Sequence, residues 1–573
     1  MPQVLTIFLA FFFIVTASAQ VAPVTRVPPI APAQTIFARN GVVAAQEQRA
    51  ARIGLEILDR GGNAIDAAVA VGFALAVTYP RAGNIGGGGF MVIHLAKTGE
   101  DVAIDYRETA PAAATETMFL DAKGEADPKK SRDSALSIGV PGTVAGLALA
   151  HAKYGSGNLP LAELVAPAIT LARNGVEIVD DIAETLPLAQ ARISRWPSSA
   201  PVFLNSDGTV LMPGQDLLQP DLAITLRAIA SDGPKGFYEG PVAEKIVAAV
   251  RKAGGIMTTE DLKNYSATLR APLRGNYRGY DIVSMPPPSS GGVHLIEMLN
   301  IIEGYDIAAL GAGTPQTLHL MIEAMKRAYA DRAAYLGDPD AVKIPTNGLV
   351  SKKYAISLRA TIGDKATPAI DIKPGRPDIY EGDNTTHFSV IDREGNAVSN
   401  TYTLNFSYGL GLVAEGTGVL LNNELDDFTA KPGAANAYGL IGYDSNLPGP
   451  RKRPLSSMTP TIVLKNGRSV LVTGSPGGSR IISTVLQVIV NAIDFQMPID
   501  QAVSTPRLHH QWQPDEVAVE PGIAPDVLDA LARRGHNVVP TPPQTAANSI
   551  AVTVDGYVGA ADRRTRGSLA TGY

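Results

Sequence analysis

Not one of the 573 residues is cysteine, and that absence removes thiol nucleophiles, thiolate-bound metals and disulfides together. Stability must come from packing. Charge is sparse as well. Only 18% of residues are Asp, Glu, Lys or Arg, the formal net charge is −6, and the basic residues are spread along the chain, so no nucleic-acid partner is expected. Several catalytic signatures are also missing: there is no G-x-S-x-G, no Walker-type phosphate loop, no H-E-x-x-H and no G-x-G-x-x-G. Serine-elbow hydrolases, nucleotide enzymes and zinc peptidases lose their main support. The eight histidines stand singly apart from His509-His510, and strand neighbours point to opposite faces, so no metal is expected.

What is present reads as a large folded protein, 45% hydrophobic with a mean hydropathy of +0.07. An apolar run from Val4 to Val15 precedes Ala17-Ser18-Ala19, the small-x-small pattern that signal peptidase cuts, although no Lys or Arg comes before it. The run is shorter than the roughly 20 residues a membrane span needs. Residues 1–19 are therefore expected to be a signal peptide, and the product to be exported, periplasmic or secreted, with no membrane span after signal removal. A Pro-rich leader, 20–35, carries Pro23, Pro28, Pro29 and Pro32, and the fold is expected to start near Ile36.

Helical patterns follow between Gln46 and Val77, the first closed by Gly61-Gly62 and the second opened by Asn63 and stopped by Pro80. The second, AIDAAVAVGFALAV, is apolar all round and predicts a buried helix. Thr314-Pro315 opens another, ending at Gly337 and Pro339, and one more runs from Pro525 to Arg534. From Thr385 the character changes: THFSVID and NAVSNTYTL predict a β-hairpin beginning at Thr385, turning at Asp392 to Asn396. Strands are also predicted near 418–421, 459–464 and 469–472. The C-terminal third thus reads as sheet-rich and the earlier part as helix-rich.

Short Gly, Ser and Thr clusters punctuate the chain: PRAGNIGGGGF (80–90), DYRETAP (105–111), SIGVPGTVAG (137–146), MPPPSSGG (285–292), DNTTHFSV (383–390), NNELDDF (422–428), PLSSMTPT (454–461) and GSPGG (474–478). Each alone reads as a turn. As an ordered series from about residue 40 to the C-terminus, beginning with GGNAIDAAVA, they resemble the γ-glutamyltransferase (γ-glutamyl transpeptidase) family of the N-terminal nucleophile hydrolase superfamily. The resemblance implies an α+β four-layer αββα sandwich built from two fragments of one self-cleaved precursor. The cut falls between Asn384 and Thr385, giving a large subunit (36–384 after the leader) and a small one (385–573) that pair as a heterodimer.

The chemistry fits the absences. A hydroxyl is a weak nucleophile without an adjacent base. A freed α-amino group, with a pKa near 8, supplies that base beside its own Thr side chain. By resemblance, Thr385 is the nucleophile, Thr403 hydrogen-bonds it, and Gly477 and Gly478 form the oxyanion hole. Arg107, Ser456 and Ser457 hold the donor's α-carboxylate, while Asn405, Glu424 and Asp427 hold its α-ammonium. Tyr438 aligns with an aromatic lid residue. The position of Glu424 is Gln in some bacterial relatives, and that of Asn384 varies. Implied substrates are glutathione and other γ-glutamyl compounds, with water, amino acids or dipeptides as acceptors and no cofactor. Two alternatives stand beside this: a cephalosporin or glutaryl acylase of the same fold, and a non-catalytic exported binding protein.

Overall fold

The computed structural model describes residues 30–377 and 386–573. The expected signal segment, most of the leader, and Asn384 and Thr385 at the expected cut lie outside the described residues.

Two seven-stranded antiparallel sheets form the centre. The first runs Gln34–Ala38, Tyr557–Ala561, Asn548–Val552, Arg468–Thr473, Thr461–Lys465, Tyr280–Ser284, Leu273–Tyr277. The second runs Leu569–Gly572, Val42–Ala45, Thr386–Ile391, Ala397–Thr403, Gly88–Leu95, Glu100–Tyr106, Thr268–Arg270. Their facing sides share one core that includes Val42, Ala44, Phe90, Val92, Ile462, Val472 and Ile550. The alternate residues Val43, Ala45, Met91 and Ile93 point the other way, into helices Gln48–Asp59 and Ala64–Thr78. On the far side, Ile282, Val463 and Leu471 pack under helices Ser290–Ile302, Pro315–Tyr335 and Ile481–Ile493. These are the four layers, helix, sheet, sheet, helix, that the resemblance implies.

Local sequence explains the main elements. Asn63 caps Ala64–Thr78 in a reciprocal capping box with Asp66, and every residue of that helix is buried, as its largely apolar sequence predicts. Thr314 caps the 21-residue Pro315–Tyr335 helix through its hydroxyl. The hairpin Thr386–Ile391 and Ala397–Thr403 pairs Thr386 with Tyr402 and Ile391 with Ala397. Asp392 at its turn accepts from Ala64 N at 2.9 Å, fixing the hairpin to the buried helix.

The part before residue 385 carries most of the described helices, and it also supplies three of seven strands in the first sheet and four of seven in the second. Strands such as Val42–Ala45 and Gly88–Leu95 are buried on both faces, so they lack the polar alternation that would have marked them. The first strand also begins at Gln34, two residues before the expected start.

Candidate active site

The glycine clusters meet at the end of the hairpin. In the second sheet Thr403 pairs with Gly88, and a Cβ placed on Gly87 would lie 2.0 Å from Thr403 O, so only glycine permits that approach. Asn84 stitches the region: its Oδ1 accepts from Gly87 N (2.9 Å) and Thr143 Oγ1 (2.8 Å), and its Nδ2 donates to Thr403 O (2.8 Å). Asn422 performs the same task one layer on. It accepts from Gly139 N at 2.9 Å and Glu424 N at 3.0 Å, and it donates to Gly86 O at 2.8 Å. Three separated motifs are thereby locked around one carbonyl and one carboxylate loop. Neither asparagine was singled out in the sequence, although each lies inside a motif; a polar residue amid buried glycines was the available signal.

A cavity of about 500 Å³ opens beside Thr403. Thr403, Asn405, Tyr438, Gly477 and Gly478 all line it. Thr403 Oγ1 accepts from Asn405 N at 2.8 Å, and Asn405 holds a positive φ of 73°. Gly477 and Gly478 sit at φ 132° and 58°, in backbone that L side chains rarely adopt. Tyr438 lies over Gly478, stacks on Phe406 at 5.3 Å and donates its hydroxyl to Asn405 O at 2.9 Å. The aromatic ring therefore bridges the two walls of the cavity.

The charged residues form a second, fully buried group. Arg107 donates to Glu424, to Asp427 at 2.7 Å, and to the carbonyls of Pro454 (3.1 Å) and Leu455 (3.2 Å). Those carbonyls immediately precede Ser456 and Ser457, both buried, so the serine pair is carried on the segment that Arg107 pins. Glu108 adds a third carboxylate, 3.8 Å from Arg107. Arg107 thus faces three acids in a dry site, with Arg332 adding a weaker electrostatic pull on Asp427. Burial pushes Glu108 up to about 8 and Asp427 up to about 6, with Arg107 opposing both shifts, and raises Glu424 well above the carboxylate range. The residues expected to hold opposite ends of a zwitterion are thus paired with one another. The two groups are joined by Asn436, which donates to Asp427 at 3.3 Å and whose Oδ1 accepts from Tyr438 N at 3.0 Å, and by Asn405, which donates to Asn423 O at 2.9 Å.

Two histidine findings bear on chemistry. His387, two residues after Thr385, is held between Thr401 Oγ1 (3.0 Å) and Ser389 Oγ (2.8 Å), and burial lowers it to about 3, so it stays neutral. Elsewhere the histidines are less scattered than the sequence suggested: His319 Nδ1 lies 2.8 Å from His536 Nε2, with Glu323 close enough to complete a three-ligand cluster. That carboxylate already pairs with Arg327 at 2.7 Å and Lys326 at 3.5 Å, which disfavours a metal ion there. Among the described residues no helix is long and apolar enough to cross a membrane.

The chain as a whole is similar to known proteins. The glutathione hydrolase proenzyme of Escherichia coli (strain K12) is 50% identical over 540 residues, 94% of this chain and 93% of the relative. A crystal structure of cephalosporin acylase from Bacillus halodurans superposes with a TM-score of 0.84 at 29% identity, covering 98% of this chain and 99% of that one. The Helicobacter pylori γ-glutamyltranspeptidase structure matches with a TM-score of 0.56 at 51% identity, over 57% of this chain and 93% of that one. The model of the family described as gamma-glutamyltranspeptidase matches residues 50–572, and the chain belongs to that family.

Proposed function

We propose that this protein is an exported, self-processing γ-glutamyltransferase and glutathione hydrolase, with Thr385 as its N-terminal nucleophile. The observation that supports the reading is the buried Arg107–Glu424–Asp427 cluster, which sets a cation beside two carboxylates, the charges complementary to an amino acid's two ends. A γ-glutamyl α-carboxylate takes the Arg107 fork, aided by Ser456 and Ser457. Its α-ammonium then compensates Asp427 and Glu424, with Asn405 beside them. Insertion of the zwitterion leaves the net charge of the cluster unchanged, which is what a dry site requires.

Chemistry follows at the hairpin end. Thr385 is joined to Thr386, whose strand partner Tyr402 precedes Thr403. Cleavage of the Asn384–Thr385 bond frees the α-amino group that serves as base. The Thr385 hydroxyl gives up its proton to that amine and attacks the γ-carbonyl carbon. The resulting oxyanion is met by the N–H groups of Gly477 and Gly478. The amide C–N bond then breaks, the departing amine takes the proton, and a γ-glutamyl ester remains. Water or an acceptor amine releases it by the same steps in reverse. Tyr438 covers the ester until the acceptor arrives.

The acylase reading differs only in the acyl group. A glutaryl chain has no α-amino group, so it would leave Asp427 and Glu424 without a partner. Purified protein offered a γ-glutamyl anilide and the matching glutaryl anilide should prefer the first by at least a hundredfold in kcat/KM. Equal rates, or preference for the glutaryl compound, would refute the γ-glutamyl assignment.

A further inference from the structure

The cavity beside Thr403 is strongly one-signed. Arg81, Arg480 and Arg564 line it, and among the described residues no Asp or Glu does. Two of the three cations are already balanced from behind: Arg81 by Asp181 at 2.8 Å, and Arg564 by Glu520 at 2.7 Å and Asp562 at 3.1 Å. Arg480 differs. Among the described residues no carboxylate oxygen lies within 4.0 Å of its nitrogens and its guanidinium has no hydrogen-bond acceptor. It is half-buried, and burial lowers its pKa despite the weaker opposing pull of Tyr329 and Glu520. A partly desolvated guanidinium facing a cavity that no described acid lines invites an anion, and its planar fork suits a carboxylate.

Position narrows the choice. Arg480 follows Gly478 by only two residues and lines the same cavity as Asn405 and Phe406. The α-carboxylate of the γ-glutamyl half has its own cation in Arg107, outside this cavity lining. The amine half of the reaction points away from the acyl group. If that half is a dipeptide, two extended residues carry its terminal carboxylate about 7 Å from the reacting nitrogen.

We infer that Arg480 binds the terminal carboxylate of the amine half of the reaction, either the peptide that leaves the γ-glutamyl donor or the peptide that accepts the γ-glutamyl group. This rests on the γ-glutamyl transfer reading above. Both peptides occupy the same ground in turn, so one cation serves both. The assignment makes Arg480 a specificity residue for peptides ending in a free carboxylate.

The test compares glutathione with its glycinamide, which lacks only the terminal carboxylate, on wild type, Arg480→Met and Arg480→Lys. A γ-glutamyl anilide reports the acyl half, and glycylglycine against glycylglycinamide reports the acceptor. Wild type should favour glutathione over its glycinamide by at least tenfold in kcat/KM. Arg480→Met should abolish that preference, and Arg480→Lys should keep part of it. A preference confined to the glycylglycine pair assigns the carboxylate to the acceptor and still supports the inference. Equal turnover of glutathione and its glycinamide by wild type, with no preference between the acceptors, overturns it, and that result needs no variant to fold. Equal losses on all donors in Arg480→Met, anilide included, also overturn it, because they indicate a role in shaping the Gly477-Gly478 turn. A wild-type enzyme inactive on both glutathione and the anilide would instead sink the γ-glutamyl reading itself.

Discussion

Arg107 illustrates how much one side chain organises. Its guanidinium donates to two carboxylates and two backbone carbonyls, with a third carboxylate nearby, so the site is one proton equilibrium rather than three independent acids. Glu108 gives a measurable consequence. Its carboxyl ionises at about 8 when folded against 4.5 when exposed, because burial penalises the charge. The folded state therefore keeps a proton that the unfolded chain has released. The resulting stability is fully present below pH 4.5 and is lost as pH rises to about 8. Glu108→Gln should flatten this loss, so its melting temperature relative to wild type should rise between pH 5 and pH 8.5. A constant difference across that range would show that Glu108 is ionised in the folded protein. The sequence made Arg107, Glu424 and Asp427 legible through the motifs that contain them. Their mutual pairing was not legible, because DYRETAP and NNELDDF lie over 300 residues apart and nothing local encodes their contact.

At the scale of elements, the glycine-rich segments act as spacers that let backbones touch. The 83–89 segment passes under Thr403 with clearances that exclude even a methyl group, and Asn84 supplies the hydrogen bonds that hold it there. Asn84→Ala strands a buried N–H, a hydroxyl and a carbonyl, and should cost about 1–3 kcal/mol of stability. It should also lower kcat for γ-glutamyl transfer, since Thr403 loses the contact that fixes its strand end. Denaturant titration and steady-state kinetics on the same preparation check both; unchanged stability would mean that water replaces the amide. Elements of this kind were unevenly readable. The Ala64–Thr78 helix was plain because the eleven residues from Ala67 to Val77 carry no polar side chain, and its Asn63 cap marks the start. The strands at 34–45, 88–106 and 268–284 were not called, since doubly buried strands carry continuous apolar runs and edge strands of three to five residues carry hardly any pattern.

Across the whole molecule, each central sheet interleaves strands from before and after the expected cut. In the second sheet Thr386–Ile391 lies beside Val42–Ala45, and Ala397–Thr403 beside Gly88–Leu95. Cleavage at residue 384 would thus break one peptide bond while leaving every described sheet contact in place, and the two fragments are expected to stay together without disulfides. This interleaving explains why the four-layer architecture came only through family resemblance: neither central sheet is formed by the residues on one side of the cut alone. The most direct test of the account is intact mass spectrometry of the purified protein beside Thr385→Ala, each assayed with a γ-glutamyl anilide. The account predicts two wild-type fragments, one starting near Gln20 and one at Thr385, with anilide cleavage, and a single uncut, inactive chain for the variant. A wild type that stays whole yet cleaves the anilide, or a Thr385→Ala chain that is still cut and active, would contradict it.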